Sequence, residues 1–418
     1  MNDTITSYSE QLIDARNNFG PSTIRDQAKI IFQNHPMPDS KNEIYKYTPL
    51  KNLLPKHVDL SDNNPVANII ENLDVFNLPA LNGSIIVLVD GKYNEQLSTP
   101  GTNENMIISF TDDDTFSDLT QWENDPLASL NAMLFTTCIN IEIKKNTAIE
   151  EDINIINIQS SIAQNYIRIN STLDENSQAT INEFYLNTVD SPVINSLSHS
   201  VNIGKKATLT HHKFQTQGSS QLSLNNTFIN QKENSTYSLV DLSLSGKLIR
   251  NNIVADLDGE YCETNLFGLF IPKNNSHYDN YTVVNHKLPN SNSNELFKGI
   301  ASEKGSGVFN GRIFVRPGAQ NTNAFQANKN IILDDSSKIY AKPQLEIWAD
   351  DVKCSHGCTT GQLNEESLFY LQSRGLSKES ARTLLLHAFT NEVSQKITNQ
   401  DLREYSEKLI HKRLNNSI

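Results

Sequence analysis

Short segments with alternating apolar and polar residues follow one another over residues 139–362, and this pattern restricts the possible folds more than any other feature. The segments include INIEI, INIINI, NYIRIN, ATINEFYL, ATLTHHKF, QLSLNNTF and TYSLVDLSL. Alternation with a period of two predicts β-strands that bury one face. Because almost no helical pattern interrupts these strands, we expect a mainly β fold.

Asparagine, serine and glycine separate the strands. Asparagine tolerates the left-handed backbone conformation that sharp turns require, so it suits the corners of a β-helix. In such a fold each strand stacks on the strand of the previous coil, at a spacing of about 4.8 Å. A β-sandwich of this length is also possible, and the sequence has no strict repeat. The periodicity alone therefore favours the β-helix only slightly.

The residues before the β region have a mixed pattern. Helices are predicted over residues 4–18 and 22–34, and Ser22 lies where an N-cap belongs. The segment SIIVLVDGKYNEQL then predicts a strand, a turn at Asp90 and Gly91, and a second strand.

Helical patterns return after the β region. Asn364 is predicted to cap a helix that ends near Gly375, Ser377 is predicted to cap the next helix, and a last helix is predicted over residues 399–413. The middle helix has one apolar stripe, typical of core or partner surface, which consists of Ala381, Leu384, Leu385 and Ala388. The chain is therefore divided into an N-terminal mostly helical domain, a β core and a C-terminal helical domain, over residues 1–138, 139–362 and 363–418.

The composition argues against several classes of protein. The 418 residues include 48 acidic and 35 basic ones, a net charge of −13, and so acidic a chain is a poor candidate for nucleic-acid binding. A secretory signal pattern, an apolar run long enough to span a bilayer and the cysteine content of a disulfide framework are all missing. Phosphate-binding loops and generic enzyme signatures are missing too. We expect a cytoplasmic protein with reduced thiols and no nucleic-acid or membrane partner.

One segment brings metal-binding residue types close together. Cys354, His356 and Cys358 form the pattern C-x-H-x-C, and in an extended strand their side chains would share one face. Thiolate and neutral imidazole are good donors for iron or zinc. Spacing alone equally allows two buried cysteines and a hydrogen-bonded histidine. Asp350 and Asp351 are either hydrogen-bond acceptors for His356, or else turn residues or solvated charges.

The other histidines and cysteines are expected to be structural. His211 and His212 are adjacent, so in a strand they face opposite sides and do not readily chelate one ion together. Three more histidines are isolated in the sequence: His199, His277 and His286. Small core residues are the expected role of Cys138 and Cys262.

Two runs of sequence match a known family. The longer is KGIASEKGSGVFNGRIFVRPGAQNTNAFQANKNIILDDSSKIYAKPQLEIWADDVKCSHG, followed by GQLNEESLFYLQSRGL, and the shorter is PMPDSKNEIYKYTPLKNLL. Both resemble the SufB/SufD family of iron–sulfur cluster assembly scaffold proteins. Tyr45 stands where tryptophan is usual, and Cys358 stands where a small or amide residue is usual. The form C-S-H-G is similar to the SufD branch rather than to the SufB branch.

The resemblance implies a right-handed parallel β-helix flanked by helical domains. It implies a non-catalytic scaffold that pairs with SufB through the β-helices and binds the SufC ATPase through its C-terminal helices, here over residues 364–392. Closure of SufC is thought to move the SufB–SufD interface and expose a site for cluster assembly. Family members also form homodimers in isolation.

The resemblance also implies a role for the C-x-H-x-C segment. His356 is implied as a ligand of a transient iron–sulfur cluster shared with SufB, with Cys354 close by; Cys358 is a third candidate metal ligand, and iron itself is a further candidate cargo. Two alternatives stay open: a carbohydrate-binding or carbohydrate-active β-helix, and a protein that binds structural zinc through the same three residues.

Overall fold

A parallel β-helix of about eight turns forms most of the protein, with helices toward both termini. The computed structural model describes residues 10–14, 16, 22–35, 37–48, 50, 70–101, 103–112 and 125–415. The predicted mainly β fold and parallel β-helix are confirmed, and the β-sandwich is excluded by the order of the strands. The right-handed sense of the coil stays a prediction.

The strands lie in two sheets. In chain order they are β1 Ser84–Val89, β2 Lys92–Tyr93, β3 Met106–Thr111, β4 Thr137–Ile143, β5 Ile153–Gln159, β6 Asn165–Leu173, β7 Gln178–Asn187, β8 Ile194–Ile203, β9 Thr208–Thr216, β10 Leu222–Gln231, β11 Thr236–Ser245, β12 Leu248–Leu257, β13 Glu263–Phe270, β14 His277–His286, β15 Asn292–Ala301, β16 Ser306–Val315, β17 Thr322–Ile332, β18 Lys338–Ile347 and β19 Val352–Gly361. One sheet has the order β19-β17-β15-β13-β11-β9-β7-β5-β1-β2 and the other the order β18-β16-β14-β12-β10-β8-β6-β4-β3.

Strands of successive coils pair in parallel and in register. Asn251 on β12 lies opposite Asn280 on β14, 29 residues later in the chain, and the two amides are hydrogen-bonded. Side chains at equivalent positions therefore form columns that run along the β-helix. Apolar columns fill its inside, where Ile155, Ile181 and Leu209 have no exposed surface.

The first strands come from the zone before residue 139. The predicted hairpin is confirmed, because β1 and β2 pair antiparallel across Asp90 and Gly91, whose φ angles are 50° and 74°. β1 also pairs with β5, and β3 pairs with β4, so this zone contributes to both sheets. The domain boundaries at residues 138 and 362 stay a prediction.

One corner in each of seven successive coils contains a residue in the left-handed conformation, and the corner between β18 and β19 does not. These residues are Asn146, Asn176, Lys206, Asn234, Tyr261, Asn290 and Asn321. The backbone N–H of Asn146 donates to the carbonyl of Glu175 in the next coil, and that of Asn176 donates to Lys205 in the same way. The abundance of asparagine at the corners thus has the backbone cause that the sequence indicates.

Five helices of eight or more residues lie within the described ranges. They are α1 Thr23–Asn34, α2 Pro126–Leu134, α3 Glu365–Ser373, α4 Lys378–Ser394 and α5 Gln400–Asn415, and short 3₁₀ helices span Glu43–Tyr45 and Asp74–Phe76. The predicted caps are confirmed, because the side chains of Ser22, Asn364 and Ser377 accept backbone N–H groups of α1, α3 and α4. The helix predicted over residues 4–18 lies largely outside the described residues.

A cluster of buried polar side chains holds the N-terminal segment against the β-helix. The Tyr45 hydroxyl donates to Asp125 Oδ2 at 2.6 Å, and the Tyr45 ring lies 4.6 Å from the Arg250 guanidinium. Arg250 on β12 forms an ion pair with Asp279 on β14, which also accepts from the Thr48 hydroxyl. Fully buried ion pairs need such additional hydrogen bonds to offset their desolvation.

The helices α4 and α5 cover the outer face of the ten-stranded sheet. Tyr405 on α5 packs edge-on against Phe184 and Phe214, with ring centroids 6.0 and 5.5 Å apart. Apolar side chains of the two helices and of the outer sheet face together form a second apolar core.

The predicted apolar stripe of α4 is divided between core and surface. Ala381 is buried, but Leu384 is 50% exposed and lines, with Ala388, a cleft of about 1000 Å³ between α4 and α5. The face that packs on the protein instead contains Leu386 and Val393. Helical periodicity locates an apolar face but does not show which neighbour covers it.

The left-handed corners give a testable prediction. Asn234 is exposed, with a φ of 59°. Asn234→Val is expected to lower the free energy of unfolding by about 1–2 kcal/mol, because the branched Cβ clashes with the backbone in that conformation. Asn234→Gly is expected to change it by less than about 0.5 kcal/mol. Urea denaturation measures both, and equal losses would contradict the backbone explanation.

Candidate metal centre on the last coil

The last coil of the β-helix has free edges. β18 pairs with β16 and β19 pairs with β17, and no described strand pairs with their other sides. Cys354, His356 and Cys358 all lie on β19, opposite Ala324, Gln326 and Asn328 of β17. As alternate residues of one strand, they project from the same face of the sheet.

The exposure of the three side chains increases along the strand. Cys354 is half-buried against the inner core, whereas His356 and Cys358 are exposed. Within the described part of the chain, the His356 imidazole has no hydrogen-bond partner, and the Cys358 thiol lies 3.8 Å from Asn328 Oδ1. The thiols and the imidazole are donor types suited to iron or zinc. They are spread along the strand, with about 13 Å between the Cα atoms of Cys354 and Cys358, and among the described residues they do not converge on one point.

Protonation limits what the thiols can bind at neutral pH. Burial raises the pKa of the Cys354 thiol, and burial likewise raises the pKa of the Cys358 thiol. Both are therefore neutral thiols near pH 7, and a metal ion must displace a proton from each to gain a thiolate ligand.

A buried carboxyl group belongs to the same column as His356. Glu295 on β15 lies opposite Gln326, which in turn lies opposite His356, and the Gln326 amide donates to Glu295. Burial raises the pKa of Glu295 to about 7, so near neutral pH this group is close to half protonated. The column places a buried carboxyl group two strands away from the exposed imidazole.

The neighbouring aspartates are turn residues. The Asp351 N–H donates to Gln320 Oε1 at 2.8 Å, and its carbonyl accepts from Asn321. Asp350 and Asp351 are both exposed at the corner before β19. Of the two alternatives for this pair, the structure favours the turn.

The structure brings together two histidines that the sequence separates. His199 Nδ1 and His211 Nε2 lie 2.7 and 2.9 Å from Glu183 Oε1, and all three side chains are fully buried. The residues are 16 and 28 apart from Glu183 in the chain. His199 is isolated in the sequence and is a buried, hydrogen-bonded histidine as predicted, but its contact with Glu183 was missed, because sequence spacing does not show the length of a coil. His211 and His212 do face opposite sides, since His212 binds Asn182 instead.

Burial acts differently on the members of this inner cluster. Burial alone would raise the pKa of Glu183, but the Lys213 ammonium and the two imidazoles hold it well below its usual range. Burial lowers the pKa of His211 to about 4, so its imidazole is neutral at physiological pH. Cys138 and Cys262 are fully buried, as predicted for core residues.

The fold and this edge strand define a parallel β-helix protein whose open last coil carries thiol and imidazole groups. Two family models match the chain: the SufBD core domain of the SUF system for iron–sulfur cluster assembly, over residues 155–389, and the SufBD N-terminal region, over residues 5–155. The chain belongs to the SufBD family of iron–sulfur cluster assembly proteins.

Curated relatives agree with this assignment. The iron–sulfur cluster assembly protein SufD of Escherichia coli is 29% identical over 380 residues, which cover 88% of this chain and 87% of that protein. An iron–sulfur cluster assembly SufBD family protein of Synechocystis is 29% identical over 386 residues, covering 86% and 84%. The chloroplastic protein ABCI7 of Arabidopsis thaliana is 36% identical over 203 residues, which cover 48% of this chain and 43% of that protein.

Among the described helices, none has the length and apolar character needed to cross a membrane.

The protonated thiols predict a pH-dependent metal affinity. If Cys354 or Cys358 ligates Co²⁺, the apparent affinity should rise by about tenfold per pH unit near neutrality, since one proton is released. The two thiols lie too far apart along the strand to share one ion, so the serine variant of the ligating cysteine should lose this dependence. The cobalt–thiolate absorption band measures binding at this site, and Ser355→Ala serves as a control on the opposite face. A dependence unchanged in either serine variant would show that its thiol is not a ligand.

Proposed function

We propose that the chain is a SufD-type scaffold subunit of the SUF complex, which pairs with SufB and the SufC ATPase in the cytoplasm. In this role it has no catalytic activity of its own and contributes ligands to a nascent iron–sulfur cluster at the SufB–SufD interface. The observation that supports the proposal most directly is the position of Cys354, His356 and Cys358 on a free edge strand.

The free edges of β18 and β19 suit pairing with a second β-helix. Unpaired strand edges present backbone N–H and C=O groups that another strand can satisfy. Large apolar side chains lie beside them: Phe325 is 46% exposed, Ile347 40% and Trp348 50%. A partner that covers this end would bury these side chains and enclose the metal donors.

Sharing ligands between two chains would make cluster binding depend on assembly. Donors spread along one edge strand leave most of the coordination of a bound iron to be supplied by the partner. A neutral imidazole also binds iron less tightly than a thiolate does, so His356 suits a site that must release its cluster. The iron–sulfur cluster is thus cargo rather than a resident cofactor.

The first two C-terminal helices offer a separate surface for SufC. Phe369 and Tyr370 on α3 are 73% and 57% exposed, and Leu384 on α4 is 50% exposed. Aromatic side chains exposed to this degree are typical anchors of protein interfaces. The apolar stripe that the core does not use therefore becomes available to a partner.

Ion pairs connect helix α4 to strands β15 and β17, and β17 neighbours the strand of the metal donors. Glu392 on α4 lies 2.5 Å from Lys298 Nζ on β15 and 3.2 Å from Lys329 Nζ on β17. β17 pairs directly with β19, the strand of His356. Movement of SufC against α3 and α4 would thus reach the donor strand through only one intervening strand, which gives ATP hydrolysis a route to the cluster site.

The cluster role predicts a loss of cluster from the assembled complex. His356→Ala is expected to reduce the iron and sulfide bound to the anaerobically purified complex with SufB and SufC by at least about tenfold, since a ligand is removed. Ser355→Ala, the exposed neighbour on the opposite face, is the matched control. Undiminished iron and sulfide in His356→Ala, with the complex intact, would refute the ligand role. Stoichiometric zinc without sulfide would instead favour a structural zinc protein.

The two proposed surfaces predict separable losses of partners. Phe369→Ser with Tyr370→Ser should abolish co-purification with SufC and keep SufB, whereas Ile347→Asp should abolish co-purification with SufB and keep SufC. Each variant is the control for the other, because both alter exposed residues and should fold. Loss of both partners, or of neither, would contradict the assignment of the surfaces.

A further inference from the structure

A second group of metal-binding side chains lies inside the β-helix, apart from the last coil. Glu183, His199 and His211 each offer one ligand atom, and these atoms all lie within 4.8 Å of one another. The residues belong to β7, β8 and β9, and all three are fully buried. A carboxylate with two imidazoles is the ligand set of many non-haem iron sites.

The remaining nitrogen of each imidazole is already held in position. His199 Nε2 lies 2.8 Å from the Ser171 hydroxyl, and His211 Nδ1 lies 2.9 Å from the Tyr237 hydroxyl. Metal-binding histidines almost always use their second nitrogen in this way, which fixes the ring and the tautomer. With an ion between them, both outer nitrogens would donate to these oxygens.

The charges of the cluster leave room for a cation. Lys213 Nζ lies 3.7 Å from Glu183 Oε2, on the other carboxylate oxygen from the one that the histidines contact. Lys213 also lies opposite Asp241 in the adjacent strand, so two buried carboxyl groups neighbour one ammonium group. A cation at Oε1 would balance the second carboxyl group.

We propose that Glu183, His199 and His211 bind a divalent first-row transition-metal ion inside the β-helix. Four-coordinate binding places ligand atoms about 3.3 Å apart, so the present 2.7 and 2.9 Å contacts must each lengthen by about half an ångström. Tyr185, whose hydroxyl donates to Glu183 Oε2, also lines a small neighbouring cavity. This inner site is independent of cluster assembly on the last coil.

Cobalt content of the full-length chain tests the proposal. The experiment uses the triple variant Cys354→Ser, His356→Ala, Cys358→Ser, which removes the outer donors, produced in cells supplied with Co²⁺ so that the ion is present during folding. We expect about one cobalt per chain, with an absorption spectrum of nitrogen and oxygen ligands. His199→Gln or His211→Gln on this background should lower the cobalt content by at least about tenfold.

His212→Gln is the matched control, because His212 adjoins His211, is equally buried and faces the other side. It should keep its cobalt. A folded triple variant without cobalt, or cobalt retained in both His199→Gln and His211→Gln, would overturn the proposal. If the glutamine variants do not fold, X-ray absorption of the cobalt-loaded triple variant decides: two imidazole ligands support the inner site, and fewer than two refute it.

Discussion

The stacking of each coil on the next is the constraint on which the rest of the structure depends. A single coil cannot bury its inner face, so every strand must lie in register over its neighbours in the same sheet. The corners must then turn at the same place in every coil, and left-handed residues such as Asn176 and Asn234 make that turn. Local backbone geometry and long-range packing therefore require each other.

This constraint also builds the polar sites. Because equivalent positions stack, residues one coil apart become neighbours, as His211 does for Glu183 and Gln326 for Glu295. A polar residue placed in an inner column must find its partner in an adjacent coil or remain unsatisfied in a buried environment. The inner cluster and the column beneath His356 are two outcomes of this rule, one fully enclosed and one ending at an open edge.

The features that depend on a few consecutive residues could be predicted from the sequence. Strand alternation, the hairpin at Asp90 and Gly91 and the cap at Asn364 depend on contacts a few residues long, and the structure contains all of them. The cluster of His199 with Glu183 was missed, because its members are separated by lengths of coil that vary and show no repeat. Which part of the apolar stripe of α4 is buried and which part stays exposed could not be predicted either, since that depends on where the helix docks.

The two ends of the β-helix differ in the length and direction of their edge strands. The first end finishes in β2, which has two residues, and in the antiparallel strand β3, whereas the last end exposes two strands of ten residues each. Short and antiparallel edges are poor templates for further parallel strands. Any association through strand edges would therefore join last coil to last coil and stop there. Such an association would form closed pairs about a two-fold axis rather than fibres, and would therefore limit its own size.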